Sequence, residues 1–371
     1  MSGSPPPAPI RYWLSWPPQE VPSVLTRLRG RLHRRPLGPG MALYLLSPVV
    51  AELCSGSTPA FNYIFFGWML CLMYGGGAVL IREAAVRWGK DWPTILTLGI
   101  AYAIAEEGIA VRTFFDRTAP VVQPLGSYGW AAGTNWVWDV HLSLYHAVIS
   151  IAIPIFLVML AYPSRRSEPW VNDRWLRRAA AGFIGVEVFW LLVYQRPVEG
   201  IYIVASLAAI AALVGLARIL PATIGAGPLP GVAPSPRRVV IVAFAATFAG
   251  FWMDWGRGLG LPDGGAVAVM LAVSAAAGWW FLLGSRRSGW TDRQRYAIAA
   301  GIFFLPAISP FIELSGVRGQ IVVGVVSGWL FVRQWRRLRA RETAAAEPGW
   351  TGPARPGGLK RQLSAADDSL A

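Results

Sequence analysis

Two groups of ionisable residues stand inside otherwise apolar stretches of this 371-residue sequence. Glu106 and Glu107 lie near the end of one apolar stretch, and Asp139, His141 and His146 lie near the start of the next. Ionisable side chains are costly in a bilayer, so those found there mark a functional site or its counter-charges. A glutamate beside a histidine at such a position could pass a proton, bind a cation or activate a water molecule.

Helical geometry separates the two histidines. Successive residues of an α-helix are about 100° apart, so Asp139 and His146 are only about 20° out of line, whereas His141 is about 140° from His146. If the protein is a hydrolase, the expected catalytic residues are Glu106, Glu107 and His146. The expected substrate-binding residues are polar groups in the outer half of the membrane: Glu52, Asn135, Asp139, His141 and His146.

The sequence assigns no metal and no cofactor. His141 and His146 lack the i, i+4 spacing of a metalloprotease helix. A metal site would need ligands from other helices, such as Glu52, Glu106 or Glu107. The alternative is a satisfied interhelical polar network that only holds the helices together. In either case we expect Glu106 or Glu107 to meet a histidine of the following helix, because the two groups lie at matching depths.

Composition places these residues in a membrane protein. The chain is 54% hydrophobic and 15% charged, and its apolar residues come in blocks of membrane-spanning length. Cys54 and Cys71 are the only cysteines, which excludes a disulfide framework and a thiol metal site. The predicted fold is all-α, a polytopic transmembrane helix bundle of about ten spans with cytoplasmic N- and C-termini. The apolar blocks are 41–56, 61–81, 93–111, 135–161, 179–195, 198–217, 239–255, 264–284, 296–314 and 318–332.

The basic residues fix the predicted orientation. Of the 34 lysines and arginines, only Arg112, Arg117, Arg196, Arg257 and Arg318 fall in the loops that ten spans would place outside. Cytoplasmic loops carry an excess of basic residues, and omitting one span would invert everything after it and destroy this segregation. The net charge of +14 therefore indicates a membrane, and no nucleic acid is expected as a partner.

Five regions are expected along the chain. Val21, Val24 and Leu25 have helical spacing among arginines near the N-terminus, which indicates an amphipathic helix that contacts anionic lipid head groups. The plasma membrane is the expected location, and the small-molecule substrate stays unknown. The regions are a basic cytoplasmic tail (1–40), a six-span region carrying the polar site (41–217), a Pro/Gly-rich cytoplasmic linker (218–238), a four-span region (239–335) and a disordered cytoplasmic tail (336–371).

Two further motifs bear on packing. The run from Tyr74 to Ala78, YGGGA, contains small residues that let helix backbones approach closely. Arg82 and Glu83 end the same apolar block, where we expect an ion pair at the cytoplasmic interface.

Several motifs resemble an uncharacterised family of prokaryotic multi-pass membrane proteins. The similarity covers about residues 41–170 and rests on SPVVAELCSGSTP, YGGGAVLIRE, AYAIAEEG, NWVW and YHAVISIAIPI. The resemblance implies a membrane-embedded fold and brings no activity. A weaker similarity is to CAAX-type glutamate intramembrane proteases, in which a Glu-Glu pair precedes an arginine. Here four residues separate Glu107 from Arg112, one more than in that motif, and Val137 or Leu142 stands where the protease motif has phenylalanine.

These observations leave three functions open. The first is a transporter or permease whose Glu/His site binds a small solute or a proton, in agreement with the many spans and the intramembrane acids. The second is an intramembrane hydrolase in which Glu106 or Glu107 activates water beside a histidine. The third is a non-catalytic membrane assembly protein.

The predicted orientation can be tested by cysteine labelling of intact cells. In a background without the two native cysteines, a cysteine at Ser167 or Ser288 should resist a membrane-impermeant reagent, and one at Ser127 should react. The reason is the segregation of basic residues to the cytoplasmic loops. Permeabilised cells provide the control, and labelling at Ser167 from outside would refute the orientation.

Overall fold

The computed structural model describes residues 37–196, 198–225, 227–251, 257–312 and 319–346. The two predicted terminal segments, the basic tail before residue 37 and the tail after residue 346, lie outside the described residues. Within the described residues, nearly all regular structure is helical. The predicted helical class is therefore confirmed.

Ten helices follow the ten predicted apolar blocks. Several contain a π-helical turn, which we count as part of the helix. They are α1 (Pro39–Leu53), α2 (Ala60–Arg87), α3 (92–110), α4 (Trp136–Ala161), α5 (Asp173–Tyr194), α6 (Gly200–Ile219), α7 (Pro236–Phe251), α8 (Asp263–Ser285), α9 (Asp292–Ile312) and α10 (Gln320–Ala346). The one sheet among the described residues is a two-stranded antiparallel hairpin of β1 (Trp130–Ala131) and β2 (Thr134–Asn135).

Four of these helices are long and apolar enough to cross a membrane: α2, α4, α6 and α8. Much of the apolar surface faces outward, for example at Ile201, Val204 and Leu207 of α6. Such a surface suits hydrocarbon as the surrounding medium, because soluble proteins rarely expose large contiguous apolar patches. The count of ten spans and the orientation of the termini stay predictions.

The helices form two packed groups that meet at α4. Helix α3 lies in the middle of the first group and contacts α2, α4, α5 and α6. Helices α7 to α10 form the second group, in which α9 packs against α7 and α10, and α8 and α9 contact α4. Buried apolar residues of α1, α4, α9 and α10 form a shared core, including Val50, Ile149 and Phe303.

The glycine run of α2 allows three helices to approach closely, as its composition predicts. A Cβ atom at Gly75 would lie 2.1 Å from the carbonyl oxygen of Tyr44 on α1. One at Gly77 would lie 2.5 Å from the ring of Tyr102 on α3. Because no side chain fits at either position, α2 can bring Tyr74 against its neighbours.

Loops at the two ends of the bundle contact only loops of the same end in the interactions that follow. At one end, Arg166 pairs with Asp292 at 2.8 Å, and Lys90 donates to the Leu220 carbonyl. At the other end, Tyr128 donates to the Leu261 carbonyl at 3.1 Å. This separation is what alternating up-and-down helices produce.

Arg82 and Glu83 differ from the expected interfacial pair. Both side chains are buried, with 1% and 0% of their surface exposed, and their ion pair spans 2.7 Å. The Arg82 guanidinium lies 3.6 Å above the Trp170 ring, and Glu83 accepts the Trp170 backbone N–H at 2.8 Å. The pair therefore fastens the 162–172 connection to α2 from within, because that connection folds back over the helix end.

The buried pair should matter far more to stability than an exposed one. Glu83→Gln should lower the free energy of unfolding by about 3–5 kcal/mol, because it leaves the Arg82 charge buried without its partner. Glu168→Gln breaks the pair with Arg165, whose side chains are 51% and 42% exposed, and should cost only about 0–1 kcal/mol. Denaturant unfolding in detergent would compare the two, and equal losses would contradict the structural role assigned to Glu83.

Candidate functional site

Five side chains from the first four helices meet near one end of the bundle: Glu52, Tyr74, Glu106, Glu107 and His146. We call this group the Glu–His centre. Helix α1 supplies Glu52, α2 supplies Tyr74, α3 supplies both Glu106 and Glu107, and α4 supplies His146. Residues far apart in the sequence are thus brought into one buried polar cluster.

Each of the four helices carries a π-helical turn where it contributes to the centre. The turns are Val49–Leu53, Cys71–Gly75, Ile104–Ala110 and His146–Ala152. Their defining i→i−5 hydrogen bonds include Cys54 N–H to Val49 O and Val111 N–H to Glu106 O. π-helical turns are rare and frequent at functional sites, so four at one cluster set this region apart.

The π turn of α3 explains why both glutamates reach the same histidine. On a regular α-helix, neighbouring residues point about 100° apart, which predicts that only one of the pair faces the site. The extra residue in Ile104–Ala110 shifts the side chains around the helix, and both glutamates approach the imidazole. Arg112, the other expected partner, instead donates to the carbonyl oxygens of Ile109 and Arg196.

His146 lies between the two carboxylates. Its Nδ1 is 3.6 Å from Glu106 Oε2, and its Nε2 is 3.5 Å from Glu107 Oε1. The side chains of Glu106 and His146 are each 3% exposed, and that of Glu107 is 12% exposed. The predicted contact between this glutamate pair and a histidine of α4 is therefore confirmed. Glu107 is the most open of the three groups.

Other groups orient the imidazole. The Ser150 hydroxyl lies 3.1 Å from His146 Nδ1, one turn further along α4. The Tyr74 ring stacks on the imidazole at 6.0 Å between centroids, and the Tyr102 and Tyr145 rings lie at 5.7 and 5.6 Å. The ring is thus held on its faces by aromatic side chains and at its edges by polar ones.

Tyr74 joins the two remaining carboxylates. Its hydroxyl lies 2.5 Å from Glu52 Oε1 and 2.7 Å from Glu106 Oε1. A phenol has one proton to donate, so one of the two carboxyl groups must itself supply the proton of the second hydrogen bond. Thr58 donates to the other oxygen of Glu52 at 2.7 Å.

The connection between α3 and α4 covers the centre. Thr113 in this connection donates to Glu107 Oε2, and Trp138 Nε1 donates to Thr113 Oγ1 at 3.1 Å. Buried residues of the connection pack against α8, including Val122 and Leu125 beside Met270. The position of Glu107 is therefore set by an ordered connection as well as by α3.

Three of the predicted substrate-binding residues contact other groups. Asn135 is the N-cap of α4, accepting from Trp138 N–H and donating to the Tyr128 carbonyl. Asp139 accepts a hydrogen bond from Thr134. His141 stacks on Trp138 with ring centroids 5.6 Å apart. The structure brings Glu52, Glu106, Glu107 and His146 together, and these contacts of the other three lie in the connection above the centre.

Glu187 was not recognised from the sequence. It lies on α5, which packs against the π turn of α3, and it interacts electrostatically with Glu106 and Glu107. Both of its carboxylate oxygens are buried without a hydrogen-bond partner among the described residues. A single acid within an apolar helix is itself a sign of a functional site, so the sequence did contain a signal for Glu187.

Glu106, Glu107 and His146 form a set of possible metal ligands. Each offers one ligand atom, and the three atoms lie within 4.8 Å of one another. Carboxylate oxygen and imidazole nitrogen are common ligands of divalent ions in proteins.

Comparison with known proteins gives one result. A family model described as an uncharacterised membrane protein family matches residues 41–304. The chain belongs to this family. The matched segment contains the whole Glu–His centre and Glu187, and it ends within α9. No curated protein and no solved structure matches the chain.

Removing the Tyr74 hydroxyl should be costly. Tyr74→Phe leaves oxygens of two buried carboxyl groups without their shared donor, and hydrogen bonds to charged groups contribute about 1.5–3 kcal/mol. Tyr296→Phe is the matched control, because Tyr296 is equally buried and donates one neutral hydrogen bond, to the Phe331 carbonyl, so about 0.5–1.5 kcal/mol is expected. Thermal unfolding should rank Tyr74→Phe below Tyr296→Phe, and the reverse order would contradict the bridging role.

Proposed function

We propose that this family member is a transporter of a small cation and that the Glu–His centre is its cation-binding site. One observation carries the proposal. Four glutamates surround a single histidine, and no ion pair among the described residues brings a lysine or arginine to Glu52, Glu106, Glu107 or Glu187. The centre therefore has an excess of acidic groups in a region that apolar helices enclose.

Such an excess needs compensation. An ionised carboxylate in an apolar environment costs several kcal/mol unless it is paired, and intramembrane acids typically mark ion pathways. His146 can balance at most one negative charge. A bound cation, or protons in its place, would balance the others, and this is the charge pattern that a cation carrier needs.

The π turns support transport in a second way. Membrane transporters often form their ion sites where helices depart from regular α geometry, because backbone groups there can change partners. All four helices of the centre depart from α geometry at the residues that contribute side chains. A return of one turn to α geometry would move its side chain relative to the others, which gives a means of releasing the ion.

A hydrolase is the second candidate, favoured by one specific contact. Glu107 is more open than Glu106 and lies against His146 Nε2, which is the arrangement of a carboxylate and an imidazole that activate water. The resemblance to glutamate intramembrane proteases points in the same direction.

Charge movement across a solid-supported membrane tests the proposal. Proteoliposomes would receive concentration steps of Na⁺, Mg²⁺, Mn²⁺, tetramethylammonium or acid. We expect a current for at least one of these probes that disappears in Glu107→Gln and His146→Gln, because both changes remove a charge-balancing group of the centre. His141→Gln should retain the current, since His141 stacks on Trp138 outside the centre.

Melting temperatures complete the comparison. His141→Ala should lower stability by about 0.5–1.5 kcal/mol through loss of the aromatic contact, whereas His146→Gln should stay folded. The absence of any current from wild-type protein, or equal currents in all variants, would refute transport through the centre. Cleavage of a transmembrane peptide by wild type but not by Glu107→Gln, without current, would instead establish the hydrolase.

A further inference from the structure

We propose that the cation of the Glu–His centre is a divalent transition-metal ion, bound by Glu106, Glu107 and His146. This inference rests on the proposed function, because it names the class of cation that the centre holds. The evidence is the spacing of the ligand atoms, the polar atoms left without partners, and the groups that orient the ligands.

The spacing fits an ion better than direct hydrogen bonds. A charge-assisted N–H···O bond spans about 2.7–2.9 Å, and His146 is 3.6 and 3.5 Å from the two carboxylates. Two ligands that each lie about 2.0–2.2 Å from a shared metal ion are separated by about 3.3–3.7 Å at tetrahedral to trigonal angles. The gap between His146 Nε2 and Glu107 Oε1 therefore has the width that a bound ion requires.

Two buried atoms point into the same space without partners. Among the described residues, neither Glu106 Oε2 nor His146 Nε2 has a hydrogen-bond partner, although both side chains are 3% exposed. Buried polar atoms are nearly always satisfied, and an exception calls for an explanation such as an ion. A metal ion would satisfy both atoms together with Glu107.

The surroundings resemble the outer shell of a metal site. A metal-binding histidine usually presents its second ring nitrogen to a polar partner, and Ser150 lies 3.1 Å from His146 Nδ1. This contact leaves Nε2 as the ligating atom. On the carboxylate side, Thr113 holds Glu107 and Tyr74 holds Glu106, so both acids are oriented by hydrogen bonds.

The donor set selects the kind of metal. One imidazole and two carboxylates suit Zn²⁺, Mn²⁺, Fe²⁺ or Co²⁺, whereas Ca²⁺ takes six to eight oxygen ligands and Cu⁺ prefers sulfur. Cys54 is hydrogen-bonded to Ser327 and takes no part in the centre. Zn²⁺ and Mn²⁺ are therefore the probes of choice, and Mg²⁺ and Ca²⁺ are the comparison ions.

Equilibrium dialysis of the untagged, full-length protein in detergent would measure binding. We expect one Zn²⁺ per chain in wild type, loss of that ion in His146→Gln and Glu107→Gln, and binding about 10–100-fold weaker in Ser150→Ala. The chain has only three histidines, so a double variant, His33→Gln with His141→Gln, removes every other imidazole and should bind as wild type does. Mg²⁺ and Ca²⁺ in excess should not displace the ion.

Folding and ligand identity need separate measurements. Glu107→Asp keeps the charge and shortens the reach, so it should stay folded by size-exclusion chromatography and bind Zn²⁺ more weakly. X-ray absorption of the Zn²⁺-loaded protein should show nitrogen and oxygen neighbours. A sulfur neighbour, wild-type binding in His146→Gln, or loss of binding in the His33/His141 double variant would overturn the inference and indicate an adventitious site.

Failure of this inference differs from failure of the proposed function. A current that depends on Glu107, from protein that binds no transition metal, would leave a cation transporter with another cargo. Tight binding that depends on His146, from protein that gives no current, would leave a metal site without transport.

Discussion

Burying several acids beside a single histidine is the constraint on which the rest of this structure depends. Removing a carboxylate from water is affordable only if a proton, a cation or a set of donors replaces the lost hydration. Tyr74, Thr58 and Thr113 supply donors, and His146 supplies one positive charge at most. The close packing of α2 against α1 and α3, made possible by glycines, brings those donors into reach.

The opposite end of the bundle handles buried charge differently. There Glu83 is paired with Arg82, which lies over Trp170, and the charges cancel within one contact. The two ends thus illustrate two uses of buried ionisable groups. A balanced pair fastens a connection to a helix, whereas an unbalanced cluster creates a site that calls for a positive ligand.

The sequence predicted the helices well and the centre in part. Apolar blocks give helix positions directly, because the period and length of hydrophobic stretches are local properties. The meeting of Glu106, Glu107 and His146 also followed from matched depths on consecutive helices. Asn135 and Asp139 were assigned by helical periodicity alone, and their hydrogen bonds, to Trp138, Tyr128 and Thr134, lie in the α3–α4 connection.

Two parts of the site could not be predicted from an ideal helix. A π turn changes which residues share a face, and no single residue type announces it, so the joint approach of Glu106 and Glu107 to His146 was not foreseen. Tyr74 depends on the close approach of three helices, which is a tertiary property. Arg82 and Glu83 were assigned to the interface because α2 ends there, but the connection after α4 folds over them.

The order of the contributing helices has a consequence for biosynthesis. Every side chain of the Glu–His centre lies between residues 52 and 146, within the first four helices, and Glu187 follows on the fifth. Chains emerge from the ribosome from the N-terminus, and their N-terminal parts can fold first. The acidic cluster can therefore close before α7 to α10 exist, so that the later helices dock onto a half whose polar interior is already shielded from lipid.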